Sequence, residues 1–132
     1  MDGSVGGPGA PEEGTVPPAD GTLRPLDEAG FRRLLDEGTR FVLYKHSPSC
    51  GICIWTREHM QAFTARHPEL LVHWMDVIGQ RLLAREAARL LDVPHASPQV
   101  ILVEAGAAVW DASHMGVTAD AVERALSRFQ DA

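Results

Sequence analysis

The sequence predicts an α/β domain, a three-layer sandwich with helices on both faces of a four-stranded mixed sheet. Three observations lead there. Apolar β-favouring runs alternate with stretches of helical period, in the order α-β-α-β-α-β-β-α, and alternation of this kind implies parallel strands joined by crossovers. The last two strands are separated only by Ala105-Gly106, a connection short enough for a hairpin and hence for an antiparallel pair. Finally, one chain of 132 residues with 45% apolar content supplies a single core.

Residues 1–22 contain six glycines and four prolines and almost no large apolar side chain. Such a segment cannot bury enough surface to offset the entropy of ordering it, so it is expected to be a disordered acidic tail. The folded domain is expected over 23–132. Asp27 suits the N-cap of a first helix bearing Phe31, Leu34 and Leu35 on one face, and Gly38 suits its C-terminal stop. Residues 40–46 form a continuous β-favouring run, fit for a central strand. Ser47 to Ser49 supply a turn. From Gly51 to Arg66 a helical stripe runs through Ile52, Thr56, Met60 and Phe63, and Pro68 closes it.

A second strand is expected over 70–76, then a helix over 80–91 bearing Leu82, Leu83, Ala87, Leu90 and Leu91. Strands follow at 99–104 and 107–111. Thr118 caps a closing helix carrying Val122, Ala125, Leu126 and Phe129. The predicted strand order across the sheet is second, first, third, fourth.

Composition narrows the function. A formal charge of −6 leaves no basic face to neutralise phosphates, so a nucleic-acid partner is not expected. No apolar run approaches 18 residues, so no membrane span is expected. The N-terminus lacks the basic start and apolar centre of an export signal. The expected compartment is therefore the cytoplasm, where paired thiols are catalytic or metal-binding more often than structural.

Those thiols are Cys50 and Cys53, the only two in the chain. The spacing Cys50-x-x-Cys53 falls where the first strand hands over to a helix, the carboxyl-end position at which open α/β sheets place their sites. At a helix mouth, unsatisfied N–H groups and the dipole favour a thiolate, which assigns attack to Cys50. Cys53, one turn further in, is expected to be more buried and able to resolve a mixed disulfide. His46 ends the strand four residues before Cys50 and can steady a thiolate or protonate a leaving sulfur. Its alternative role is to shape the turn by backbone hydrogen bonds. Lys45 points to the opposite face; its long side chain can reach solvent at the strand end, and a structural role is expected of it. Trp55, Trp74 and Trp110 are expected in the core and its rim.

Pro98 follows the loop Pro94 to Ser97, and an X–Pro bond is the only kind with an appreciable cis population. In thioredoxin-like folds, which this element order is similar to, a cis-proline here packs beside the nucleophile. The residue before it, Ser97, then offers backbone to a thiol substrate, with Ser49 and Gly51 flanking the sulfur on the other side. A metal site built from Cys50, Cys53, His46 and His59 lacks the second ligand cluster usual for structural zinc, so none is expected.

The motifs Lys45-His-Ser-x-x-Cys50-x-Ile, Asp76-Val-Ile-x-Gln-Arg81, His95-x-Ser-Pro-Gln-x-Ile-Leu-Val103 and Ala108-Val-Trp-x-Ala-Ser-His114 resemble the bacilliredoxins, specifically the YtxJ-like monothiol class. The resemblance spans about residues 23–129. It implies a cytoplasmic thiol–disulfide oxidoreductase in which Cys50 attacks mixed disulfides between client proteins and bacillithiol. Bacillithiol would be a co-substrate, with no tightly bound cofactor. Recycling would fall to bacillithiol itself or to a reductase system like thioredoxin reductase, and the protein would act as a monomer. The family carries Pro after the nucleophile and Ser three positions after it, whereas this chain has Gly51 and Cys53. With Cys53 present, an internal disulfide can form. Two other readings stay open at this point: a general protein disulfide reductase, and a redox-inert or metal-binding interaction module.

Overall fold

The computed structural model describes residues 23–47, 51–68, 70 and 72–130. Its elements are β1 (Leu23–Pro25), α1 (Glu28–Glu37), β2 (Phe41–His46), α2 (Gly51–Arg66), β3 (Val72–Asp76), α3 (Arg81–Leu91), β4 (Gln99–Glu104), β5 (Ala107–Ser113), a single 3₁₀ turn (His114–Gly116) and α4 (Ala119–Gln130). The expected segment 1–22 lies outside the described residues.

The strands lie in the order β1-β3-β2-β4-β5. β1 and β2 run parallel to β3, while β4 is antiparallel to β2 and to β5. The four expected strands therefore take the expected order, but the sheet has five. The addition is β1, three residues that pair with Val72 to Trp74 at the edge. It is too short to show a period of two, and Pro25 removes one ladder donor, so no strand signal is present in its residues.

β2 is central, and its alternation divides the core. Val42 and Tyr44 join Val100 and Leu102 beneath Met60 and Phe63 of α2 and Val122, Ala125 and Leu126 of α4. Phe41 and Leu43 join Ile101 and Val103 against Phe31 of α1 and Leu83, Ala84, Ala87 and Leu91 of α3. Burial on both faces explains why β2 and β4 read as continuous apolar runs over 41–44 and 100–103. Leu82 departs from expectation: it is 81% exposed, because the buried stripe of α3 passes through Leu83, Ala87 and Leu91.

The helix ends follow local chemistry. Asp27 Oδ1 accepts from the Gly30 amide at 2.8 Å, and Gly38 takes φ +69°, donating to the Leu34 and Leu35 carbonyls. Thr118 Oγ1 accepts from the Ala121 amide at 3.0 Å at the start of α4. The hairpin turns on Ala105 and Gly106, both with positive φ, as the I′ class of two-residue connection requires. No helix among the described residues is long and apolar enough to cross a membrane.

Candidate thiol site at the end of strand β2

The site is built where β2 ends and α2 begins. The chain enters α2 at Gly51, the residue after Cys50. Cys50 and Ser49 themselves lie outside the described residues, so the site is read from what surrounds the turn.

Cys53, one turn into α2, is buried at 2% exposure. Its sulfur accepts the Ser47 amide at 3.3 Å, a contact across the turn that favours electron density on sulfur. Its carbonyl accepts from two hydroxyls, Thr56 Oγ1 at 3.2 Å and Tyr44 OH at 3.3 Å, and those hydroxyls lie 2.7 Å apart. Tyr44 projects from the central strand and Thr56 from the buried stripe of α2. The three groups therefore tie the first turn of the helix to the sheet.

His46 is also buried, at 8% exposure. Its ring stacks on Tyr44 at 5.5 Å and meets the edge of Trp74 at 4.6 Å. Burial holds the imidazole below its ordinary pKa, Asp76 pulls upward, and Arg57 adds to the depression. The neutral ring is thus the resting form near pH 7. Its backbone carbonyl accepts from the Val77 amide at 2.9 Å, which fixes the β3–α3 loop beside it.

The second wall comes from β4. The Ser97–Pro98 peptide is cis, and Pro98 is buried. Because Lys45 is registered opposite Gln99, Pro98 comes level with His46 at the strand end. Ser97 Oγ is buried and has no hydrogen-bond partner among the described residues. The Pro98 carbonyl accepts from the His114 amide at 2.8 Å, which ties the loop to the end of β5.

Lys45 takes the structural role expected of it, though not at the surface. Its head does not reach solvent: the side chain is fully buried, and Nζ donates to Gln99 Oε1 at 3.0 Å. Burial pushes its pKa down to about 8. Strand alternation turns it to the α1/α3 face, and the loop that follows α3 covers it before solvent is reached. Gln99 Nε2 continues the chain of contacts by donating to the Pro94 carbonyl at 3.1 Å.

Of the candidate residues, His46 and Cys53 therefore meet at one strand–helix junction. Gly51 opens the helix, exposed, and Ser97 and Pro98 line up alongside. Tyr44, Thr56, Arg57 and Gln99 were not among the candidate site residues. Thr56 carried a usable signal, as a polar member of an otherwise apolar helical stripe. Arg57 carried another, since it stands four residues after Cys53 and so shares its helix face. Trp74 and Trp110 pack at the margin of the core, while Trp55 is 36% exposed and lies edge-on to His59.

Comparison with known proteins agrees with this geometry. A thioredoxin-fold structure assigned as an oxidoreductase is similar at TM-score 0.72 and 22% identity, over 78% of this chain and 92% of the other. Thioredoxin from Trypanosoma brucei brucei is similar at TM-score 0.70 and 14% identity, over 86% and 95%. Thioredoxin from Fasciola hepatica is similar at TM-score 0.63 and 23% identity, over 80% and 98%. These likenesses show the thioredoxin fold. The model of the family described as monothiol bacilliredoxin BrxC matches residues 26–122, which takes in β2, the thiol turn, α2 and the cis-proline. With the family's match running through the whole junction just described, the chain belongs to the monothiol bacilliredoxin family, as a thiol–disulfide oxidoreductase on a thioredoxin fold.

Proposed function

We propose that this protein removes bacillithiol from client proteins in the reducing cytoplasm, with Cys50 as nucleophile. The observation that carries the reading is the Ser47 amide on the Cys53 sulfur, within a junction that also gathers a neutral His46 and a buried cis-proline. A thiol at the start of a helix meets unpaired backbone N–H groups and the positive end of the dipole, which would favour a thiolate on Cys50.

In the step proposed, the Cys50 thiolate attacks the bacillithiol sulfur of the mixed disulfide. A bond forms between Cys50 and bacillithiol, the bond to the client sulfur breaks, and the client leaves as a thiolate that is protonated by solvent. Thiol–disulfide exchange of this kind conserves electrons, so no further oxidant is needed. Ser97 and Pro98, beside His46 at the strand end, are the proposed receiving edge for a client backbone, and Ser49 and Gly51 are the other proposed contacts. Bacillithiol is a co-substrate, and the adduct is cleared by a second bacillithiol or by Cys53.

Cys53 favours a second reading, a general disulfide reductase working through an internal Cys50–Cys53 bond. Mass spectrometry of wild type, Cys50→Ser and Cys53→Ser after exposure to bacillithiol disulfide separates the two. Cys53→Ser is expected to hold a single stable adduct and Cys50→Ser to take up little. Equal labelling of both variants would remove Cys50 from the role of nucleophile. Fast turnover of an ordinary protein disulfide, with none of the bacillithiolated client, favours the second reading.

A further inference from the structure

Asp76 ends β3 beside the junction of β2 and α2, and the residues after it hold it there. Its amide donates to Gln80 Oε1 at 3.0 Å, and Gln80 Nε2 donates to the Leu26 carbonyl at 2.7 Å. Its carboxylate accepts through Oδ1 from the Ile78 and Gly79 amides at 2.9 and 3.1 Å. A Cβ at Gly79 would sit 3.0 Å from Oδ2, so the glycine leaves the second oxygen its room. Backbone contacts on Oδ1 thus fix the direction of the carboxylate.

What that carboxylate faces follows from register. Asp76 and His46 are paired positions of adjacent parallel strands, so their side chains leave the sheet on the same face. α2 covers that face. Ser47, which follows His46, donates its amide to the buried Cys53 sulfur at 3.3 Å. His46 and Cys53 also wall a cavity of about 330 Å³, together with Ile54, Arg57 and Glu58. Carboxylate, imidazole and thiol therefore come in sequence from β3, β2 and α2. Burial disfavours the protonated ring, the Asp76 charge favours it, and Arg57 opposes it. The charged or titratable groups around the ring are Asp76 from β3 and Arg57, Glu58 and Cys53 from α2, while Lys45 leaves β2 on the other face.

We propose that the His46 imidazole takes the proton of the Cys53 thiol, and that Asp76 is the positioning residue that holds the ring for this transfer and stabilises the imidazolium formed. The inference rests on the reading in which Cys53 clears an adduct, and it supplies the thiolate which that step needs. The proton passes from sulfur to a ring nitrogen, no electrons are exchanged in the transfer, and the imidazolium later gives the proton to solvent. A neutral imidazole oriented by a carboxylate is a competent base toward a neighbouring nucleophile.

The test uses the full chain and dithiobis(nitrobenzoate) in stopped flow. Release of the first thionitrobenzoate reports adduct formation, and release of the second reports Cys53 displacing the adduct. Asp76→Asn keeps an oxygen for the Ile78 and Gly79 amides, and His46→Phe keeps a ring against Tyr44 and Trp74. Far-UV dichroism checks that each variant is folded. At about pH 7, Asp76→Asn is expected to slow the second release about tenfold relative to the first, as a tenfold smaller thiolate fraction would. The deficit should vanish as pH rises past the free thiol value of about 8.5, where hydroxide ionises Cys53 unaided. Adding Asp76→Asn to His46→Phe should bring no further loss, since both act on one proton. Equal slowing of both releases or of neither, a deficit that persists at alkaline pH, or additive losses overturns the relay while the Cys53 reading stands. A wild type that gives no second release overturns both.

Discussion

The Lys45 ammonium donates to the side-chain oxygen of Gln99 at 3.0 Å, a fully buried cation held against a neutral amide. Gln99 passes the contact on to the Pro94 carbonyl. The pair therefore links the strand that leads into the thiol turn to the loop that ends in the cis-proline. Breaking such a pair on one side leaves an uncompensated buried charge, whereas replacing both partners by apolar groups can cost nothing. Gln99→Leu alone is expected to lower stability by about 3 kcal/mol. The double variant Lys45→Met, Gln99→Leu is expected to stay within about 1 kcal/mol of wild type. Urea unfolding measures both, and a single variant as stable as the double would mean that the ammonium has another partner.

The same lysine makes stability depend on alkaline pH. Its pKa is about 8 in the fold, below the ordinary 10.5, because burial disfavours the charged form. Below pH 8 both folded and unfolded chains hold the proton, and the cost of burying it is fully present. Between about 8 and 10.5 the folded chain sheds the proton first, so stability should rise with pH in that window. The difference between wild type and the double variant isolates the effect, and a difference that stays flat from pH 7 to 10 contradicts it.

On the acid side the histidines act in a related way. His46 and His73 are both held below the ordinary 6.5, chiefly by burial. Their contribution is complete above pH 6.5 and is lost as pH falls through the folded values, where the unfolded chain takes up protons first. NMR titration of the ring protons should give midpoints below 6.5 for both. A midpoint at or above that value for His46 would show that the carboxylate of Asp76 outweighs burial.

Tyr44→Phe removes a hydroxyl that lies 2.7 Å from Thr56 Oγ1 and 3.3 Å from the Cys53 carbonyl. The expected loss is about 1 kcal/mol, the net worth of a buried hydrogen bond. Because those contacts hold the first turn of α2, the rate at which Cys53 clears an adduct from Cys50 should also fall. Quench-flow mass spectrometry reads that rate, and a stability loss without a change in rate would confine Tyr44 to packing.

Two glycines should respond in opposite ways. Gly106 has φ +77°, and a Cβ there would sit 3.3 Å from the Leu35 carbonyl oxygen. Gly106→Val is expected to cost about 2 kcal/mol. At Gly51 a Cβ would meet nothing within 4 Å, so Gly51→Ala should be neutral or mildly stabilising. Thermal melts of the two variants give the comparison directly.

Much of this architecture was legible because its signals are local and periodic. The unbroken run of β2, the stripe through Thr56, Met60 and Phe63, and the caps at Asp27, Gly38 and Thr118 each act within a few residues. What escaped depends on contacts between distant segments. β1 is a strand only because β3 lies beside it. Lys45 is buried only because Gln99, 54 residues away, supplies an acceptor and the loop after α3 closes over it. Leu82 looked like core because apolar residues crowd α3, yet the helix turns it outward. At the thiol site, Cys53 and His46 could be named from spacing. The Tyr44–Thr56 support and the cavity beside Arg57 could not, since each joins a strand to a helix face.

Pro25 closes the short outer strand of the sheet and has no amide hydrogen to offer a neighbouring chain. Three residues ending in an imino acid make a poor template for intermolecular pairing, so this margin resists the edge-to-edge stacking through which exposed sheets aggregate. The protein can thus carry out thiol–disulfide exchange without advertising an adhesive border on that side.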